Sequence, residues 1–490
     1  MPEPPEEKKP ITNKDKLGKG KEIEEEQPAA TKAKPQDEEA QEAQVKEAQL
    51  SNPGEQQAIT ALKNLGISQT PNMKGKTPQD MESYKFWQTQ PVPRFGDTVE
   101  KPDGEIKKVD PDKVPKEPRE LLEGFTWVTM DLDKAAEITE VYELLNGHYV
   151  EDDAAQFRLS YSASFFNWAL KAPGWKKDWH VGVRATKSKK LIAFISAIPV
   201  QIRIREQKFT ASEVNFLCIH KKLRSKRLAP ILIEEITRRS NLVGVFQGLY
   251  TGGQVLPKPL SSCRYFHRAI DWNKLYECGF AGLPAGSTKQ RQLTRTFIPS
   301  TTALSGFRSM QRKDIPAVHD LLTRYMDKFS FAPEFSLDEI EHWLYYDPKQ
   351  STDDQMVWGY VVEHNGKITD FMTFYRLDSS IIGNNKHDNI KAAYLYYYAS
   401  ETAFLDDGGK TLKERLNALV LDTLVMAKKV SSILHYRETS TNMYSYHSTC
   451  ATLYHCWIIH SSSHNRNSAQ ETVSFTTIYT TTAPPQYPEE

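Results

Sequence analysis

Aromatic side chains are missing from the first part of the chain, where the earliest is Tyr84. The same stretch is rich in Lys, Glu, Pro and Gln, and such a composition buries too little apolar area to offset the entropy lost on folding. We expect residues 1–80 to form a disordered, charged tail. The lysines from Lys14 to Lys21 offer a transient contact to the ribosome or to a membrane, although a solvated tail is the simpler interpretation.

Cysteine, net charge and long apolar runs are also scarce in this chain of 490 residues. Five irregularly spaced cysteines indicate a reducing compartment without disulfides. A formal net charge of zero argues against a general nucleic-acid binder, since such proteins carry a basic excess or stripe. Neither a secretion signal nor a transmembrane-length apolar run is found, so we expect a soluble cytoplasmic protein.

The last part of the chain contains no Gly and no Asp after Asp422. Both residue types are common in turns, and residues 430–490 are instead rich in Ser, Thr, Tyr and His. We interpret these residues as an atypical tail. Its six clustered His and Cys residues do not follow a standard zinc spacing, so no metal site is expected. They are His447, Cys450, His455, Cys456, His460 and His464.

Near the middle of the chain, a short apolar segment, a basic loop and an amphipathic segment follow one another. Residues 213–219 favour a strand, residues 220–227 carry five cations, and residues 228–239 place Leu and Ile at helical spacing. The unpaired amides and the dipole of a helix start attract anions. Together with the cations they predict a site for a pyrophosphate or a 3′-phosphate; a solvated basic turn is the alternative.

From Gly124 onward the chain repeats one plan. A strand and helix come first, then a hairpin, a further strand and a second long helix, and the series begins again at Gly306. The second hairpin turns at Asn365 and Gly366, a strong hairpin signal. This repetition indicates internal duplication. We predict two similar halves, residues 81–300 and 301–429.

Residues 213–221 resemble the first signature of the N-myristoyltransferases, and the similarity continues through residues 224–230. Other resembling blocks include residues 84–93, 149–158, 250–253 and 262–265. The resemblance, closest to the fungal type, implies an α/β (α+β) class with a duplicated acetyltransferase-like fold, built as two similar halves around a mixed sheet. It also implies a monomeric acyltransferase that transfers myristate from myristoyl-CoA to the N-terminal glycine amine of proteins. Myristoyl-CoA is then a co-substrate, and no permanently bound cofactor is expected.

The family likeness assigns roles residue by residue. The backbone amides of Phe216 and Leu217 would form the oxyanion hole, and Asn215 and Thr251 would hold the amine. The base would be the C-terminal carboxylate, here that of Glu490. The first half would bind myristoyl-CoA through these positions: Tyr84, Lys85, Phe86, Trp87, Leu217, Cys218, Ile219, Arg224, Ser225, Lys226, Arg227, Leu228, Ala229 and Pro230.

The peptide groove is implied in the same way, with three carboxylates that meet basic residues of the substrate. Its positions are Tyr149, Val150, Glu151, Asp152, Asp153, Phe157, Arg158, Tyr161, Tyr265, His267, Tyr375, Ser379 and Tyr394. The second half would contribute Tyr375, Ser379 and Tyr394 and would bind the glycine peptide.

The chain departs from the family after Lys429, where the second, glycine-rich signature is absent. We interpret this ending as the product of a shifted frame, a retained intron or an alternative exon, and we expect reduced turnover. Two alternatives remain open. One is an acyl-CoA-binding protein that has lost catalysis, and the other is a short-chain N-acetyltransferase.

Overall fold

Fourteen strands and nine α-helices form the part of the chain that the computed structural model describes, which comprises residues 85–90, 92, 109–152, 154–252, 261–434, 441–444 and 470–479. For residues 225, 252, 261–266, 431–434, 441–444 and 470–479 only the backbone is described. The strands are β1 (Phe125–Thr129), β2 (Phe157–Ser160), β3 (His180–Ala185), β4 (Leu191–Ile204), β5 (Gln207–Ile219), β6 (Gln247–Gly252), β7 (Ser261–Phe266), β8 (Phe307–Ser309), β9 (Phe331–Pro333), β10 (Val357–His364), β11 (Lys367–Ile381), β12 (Asn389–Ser400), β13 (Thr441–Tyr444) and β14 (Gln470–Tyr479).

Several of the helices pack an apolar stripe against the strands. They are α1 (Lys85–Gln88), α2 (Ala135–His148), α3 (Ala163–Leu170), α4 (Leu228–Asn241), α5 (Trp272–Glu277), α6 (Lys289–Arg295), α7 (Ile315–Met326), α8 (Leu337–Leu344) and α9 (Lys410–Leu434). In α4, for example, Leu228, Leu232 and Ile236 are buried at spacings of four residues, which places them on one face.

The strands form two mixed sheets. The first has the order β1-β3-β4-β5-β6-β14-β7, with β9 added to β4, and the second has the order β13-β12-β11-β10-β8, with β2 added to β11. The expected α/β class is therefore confirmed. The late strand β14 lies between β6 and β7 and is antiparallel to both.

The duplication is visible in the topology. In the first sheet β3, β4 and β5 are antiparallel, and α4 then leads to β6, which is parallel to β5. In the second sheet β10, β11 and β12 are antiparallel, and α9 then leads to β13, which is parallel to β12. The same sequence of three strands, one helix and one parallel strand thus occurs twice.

The two halves also exchange strands. β2 comes from the first half but pairs with β11, while β9 comes from the second half but pairs with β4. Each sheet consequently contains a strand from the other half. The proposed boundary at residues 300–301 divides the chain in sequence, but neither sheet is built from one half alone.

Several element limits differ from the sequence expectation. The strand predicted over residues 213–219 is longer, because β5 begins at Gln207. The long helix expected near the end of the second half is α9, which covers Lys410–Leu434. Asn365 and Gly366 both adopt positive φ, as the predicted hairpin turn requires. No helix within the described ranges has the length and apolar character needed to cross a bilayer.

Gly306 gives a test of backbone packing. Its φ is +77°, and an added Cβ would overlap the carbonyl oxygen of Glu363. Gly366 has a similar φ of +75° but open space around it. Both G306A and G366A should therefore cost about 1–2 kcal/mol of left-handed strain, and G306A should lose a further 1–3 kcal/mol or so through overpacking.

Urea denaturation of the two variants and the parent chain measures this difference. Equal losses of unfolding free energy in G306A and G366A would show that the strand pair absorbs the overlap without cost.

Candidate active site

The site begins with a break in the pairing of β5. On one side, β5 pairs with β6 only through residues 211–213, and the last pair joins Glu213 to Leu249. On the other side, the register with β4 shifts between the pairs Asn215–Ser196 and Cys218–Phe194. Phe216 and Leu217 therefore oppose the single residue Ile195 and have no register partner in β4 or β6. This is a β-bulge.

Phe216 adopts a left-handed conformation with φ of 57°. A non-glycine residue in this region costs of order 1–3 kcal/mol and persists only when its surroundings enforce it. Here the phenyl ring is 1% exposed and lies against the rings of Tyr161, Phe165 and Phe166. Its backbone amide donates to the buried hydroxyl of Tyr149. The aromatic cluster thus holds the bulge in place.

Asn215 and Thr251 stand on opposite sides of the gap that the bulge opens. Asn215 lies two residues beyond the last β5–β6 pair on β5, and Thr251 lies two residues beyond it on β6. Asn215 is 3% exposed, and Thr251 is held on its other side by pairing with Phe475 of β14. The two residues that the family likeness placed at the amine therefore lie at the same level of the two strands, beyond their last pair.

The second half contains a similar bulge. The β11–β12 register shifts between the pairs Met372–Tyr398 and Phe374–Leu395. There the Thr373 hydroxyl donates to the Tyr397 carbonyl at 2.8 Å and accepts from the Tyr397 amide at 3.0 Å. The Thr373 side chain thus bonds both main-chain polar groups of Tyr397.

The basic loop folds as a 3-10 turn over Lys221–Lys226, and the helix α4 follows directly. Arg227 connects them with a left-handed φ of 53°. No side-chain hydrogen bond caps the start of α4. The amides at this helix start and the cations of the turn therefore meet at one place, as the sequence predicted for an anion site.

Two cations of this turn already have partners within the protein. Arg224 donates to the carbonyl oxygens of His148 and Ile219, and Lys221 forms an ion pair of 2.5 Å with Glu151. Lys222, Lys226 and Arg227 are exposed. The first group fixes the turn, and the second group is accessible to an anionic ligand.

Two histidines lie beside the turn, with the rings of His148 and His220 4.0 Å apart. Burial lowers the pKa of His148 to about 4, and the charges of His220, Lys221, Lys190 and Arg224 act in the same direction. His148 is therefore neutral at physiological pH.

The aromatic block near the start of the described chain contacts the same sheet. Trp87 stacks on Tyr250 of β6 at 5.1 Å between ring centroids, and Phe86 meets Trp87 edge-on at 4.8 Å. Of the residues expected to bind myristoyl-CoA, Phe86 and Trp87 thus lie next to β6, and Lys85 precedes them in α1. Tyr84 lies outside the described residues.

Glu151 links the acidic block to the basic turn. Besides Lys221, it accepts from Arg158 Nε at 2.5 Å. Asp152 serves the loop itself, because its carboxylate accepts from the amides of Gln156 and Phe157. Asp153 lies outside the described residues. Two of the three expected groove carboxylates are consequently committed to local contacts in this conformation.

The remaining groove candidates fall into two neighbouring groups. Tyr149 and Tyr161 belong to the aromatic cluster around Phe216, and Tyr375 stacks on Tyr394 at 5.4 Å and reaches that cluster through Phe165.

Phe157 and His267 both contact Phe280, and Ser379 pairs with Leu159 of β2. Val150 is exposed. The side chains of Tyr265 and Ser225 and the carboxylate of Glu490 lie outside the described residues, as do the tail lysines from Lys14 to Lys21 and the His and Cys residues from His447 to His464. Among the described residues, no cluster of His, Cys, Asp or Glu is arranged to hold a metal.

Sequence reasoning did not nominate Glu213, although a carboxylate within an apolar strand was a visible signal. It is 7% exposed, and its Oε1 accepts from Asn215 Nδ2 at 3.4 Å. Burial raises the pKa of Glu213 to about 8, opposed only by the bond from Asn215. A proton therefore remains on this carboxyl near neutral pH.

A duplicated α/β fold with an opened strand beside a cationic helix start defines the class, an acyltransferase. The family profile of the myristoyl-CoA:protein N-myristoyltransferase N-terminal domain matches residues 105–263, and that of the C-terminal domain matches residues 277–435. Glycylpeptide N-tetradecanoyltransferase of Aspergillus fumigatus is 56% identical over 377 residues, which cover 76% of each chain. The Saccharomyces cerevisiae enzyme is 42% identical over 380 residues, covering 76% of this chain and 84% of its own.

A crystal structure of Saccharomyces cerevisiae N-myristoyltransferase with bound myristoyl-CoA superimposes with a TM-score of 0.72 at 40% identity, covering 82% of this chain and 93% of the other. The chain belongs to the N-myristoyltransferase family. The family resemblance drawn from residues 213–230 is confirmed.

The raised pKa of Glu213 predicts a pH-dependent stability. The unfolded chain releases this proton near the ordinary value of 4.5, whereas the folded chain keeps it up to about pH 8. The folded state binds more protons in this window, so the free energy of unfolding falls as pH rises from 4.5 to 8. E213Q removes the titration and should gain stability relative to the parent chain between pH 5 and pH 8, by up to about 4 kcal/mol.

Unfolding free energies of E213Q and the parent at pH 5 and pH 8 test this. A difference that stays constant with pH would mean that Glu213 is ionised in the folded protein throughout.

Proposed function

We propose that this chain transfers myristate from myristoyl-CoA to the N-terminal glycine amine of target proteins. The amine attacks the thioester carbonyl, a C–N bond forms, the C–S bond breaks, and CoA leaves as the thiol after the amine's proton is lost. The observation that carries the proposal is the bulge at Phe216 and Leu217, next to the cationic start of α4.

The bulge supports stabilisation of the oxyanion. Two successive amides without register partners, held in a buried site, can donate to the oxygen on which charge develops. In this structure the Tyr149 hydroxyl accepts from the Phe216 amide. We infer that the thioester oxygen takes the place of that hydroxyl when the acyl-CoA binds.

The basic turn supports recognition of CoA. Lys222, Lys226 and Arg227 are exposed beside a helix start without a side-chain cap, and charge-assisted hydrogen bonds to phosphate are among the stronger ones in proteins. The relative solved with myristoyl-CoA supports the same ligand.

The amine is positioned by Asn215 and Thr251 across the gap between β5 and β6. An N-terminal amine has a pKa of about 7.7–8.0, so a large share of it is protonated at neutral pH and a base must remove that proton. The family likeness assigns this role to the C-terminal carboxylate, here Glu490.

Purified chain incubated with myristoyl-CoA and a peptide that begins with glycine should yield one myristoyl amide per peptide, detected by mass spectrometry. The same peptide with an acetylated N-terminus should give no product, because no amine remains to attack the thioester. Product from the acetylated peptide would contradict attack by the N-terminal amine.

Acyl-chain competition separates the alternatives. Transfer from acetyl-CoA in preference to myristoyl-CoA would identify a short-chain N-acetyltransferase. Binding of myristoyl-CoA without any product would identify an acyl-CoA-binding protein that lacks catalysis.

The exposed lysines of the turn give a second prediction. The double variant K222A/K226A should raise the Kd for myristoyl-CoA about tenfold, which corresponds to about 1.4 kcal/mol, and the loss should shrink at high salt because the interaction is between charges. Isothermal titration at two salt concentrations measures it. The matched control is K313A/K349A, which removes two exposed lysines of the second half and should leave the Kd unchanged.

An equal effect of both double variants would mean that the lysines act through net charge. The basic turn would then not be the phosphate site.

A further inference from the structure

A buried carboxyl group stands next to the amine-binding side of the opened strand. Glu213 forms the last β5–β6 pair, and the gap begins immediately after it. Its Oε1 accepts from Asn215 Nδ2 at 3.4 Å, and both side chains are almost fully buried, at 7% and 3% exposure. The carboxyl therefore meets Asn215 at the point where the substrate amine is proposed to bind.

This contact distinguishes the two ends of the Asn215 amide. An asparagine side chain has one donor end and one acceptor end. Because Nδ2 is directed to Glu213, Oδ1 is the end left for a ligand. A glycine amine that attacks a thioester must keep its lone pair on the carbonyl carbon, so its N–H groups need acceptors rather than donors at its sides.

Two tyrosines of β12 lie near the same carboxyl group. Burial raises the pKa values of Tyr396 and Tyr397, and Glu213 acts in the same direction. Within the described part of the chain, no Lys or Arg is among the groups that shift the pKa of Glu213.

We propose that Glu213 is a positioning residue, which orients the Asn215 amide so that Oδ1 accepts a hydrogen bond from the attacking glycine amine. This inference rests on the proposed function. It adds a residue that acts through Asn215 and does not itself touch the substrate.

A double-mutant cycle tests the proposal. E213M keeps the length of the side chain but removes the acceptor, and E213Q keeps an acceptor oxygen. We expect E213M to lower kcat/KM for a glycine peptide at least tenfold while the Kd for myristoyl-CoA stays unchanged, and we expect E213Q to recover most of that loss. In an N215A background, E213M should have no further effect, because the orientation that it controls is gone.

Three results would overturn the proposal. E213M could retain full kcat/KM, it could lower kcat/KM by the same factor in the presence and absence of Asn215, or it could weaken myristoyl-CoA binding to the same degree as peptide turnover. The third pattern would indicate a structural role in the whole sheet.

The proposal and the proposed function can fail separately. If the parent chain gives no turnover with a glycine peptide, the same cycle is measured by binding of that peptide to protein saturated with a thioether analogue of myristoyl-CoA. A coupling between Glu213 and Asn215 in peptide affinity would support the positioning role even then, and additive effects would reject it.

Discussion

One interruption of strand register, at Phe216 and Leu217, lies at the centre of the candidate site. It falls just beyond the last pair between β5 and β6. The strained backbone of Phe216 costs of order 1–3 kcal/mol, and burial of its ring contributes a similar amount. The cluster of aromatic rings around Phe216 therefore offsets the strain of the bulge.

The duplicated fold places a bulge at the same point of each half, but the side chains bonded to the two bulges differ. Both halves place a bulge in the strand that precedes the crossover helix. In the second half, the Thr373 hydroxyl bonds the main chain of Tyr397 within the bulge, and in the first half the Ser196 hydroxyl donates to the Asn215 carbonyl beside it. The two bulges thus differ in where one small polar side chain is directed.

Local patterns in the sequence were sufficient for the order of elements and for the basic helix start. Alternating apolar residues and turn residues such as Asn365 and Gly366 depend only on neighbours in sequence. The match over residues 213–230 was sufficient to identify the family. The left-handed Phe216 could not be derived in this way, since propensity assigns such backbone to glycine. The ion pair between Glu151 and Lys221 and the hydrogen bond between Asn215 and Glu213 could not be predicted either, because they depend on burial and on contacts that only the folded chain creates.

The reciprocal pairing of β2 with β11 and of β9 with β4 has a consequence for biosynthesis. The partners of β2 are encoded more than two hundred residues downstream. At a translation rate of about 5–20 residues per second, a nascent chain waits roughly 10–40 seconds for them. Until then the segment that precedes α3 has no edge to join, so docking of β2 onto the second sheet has to follow synthesis of most of the second half.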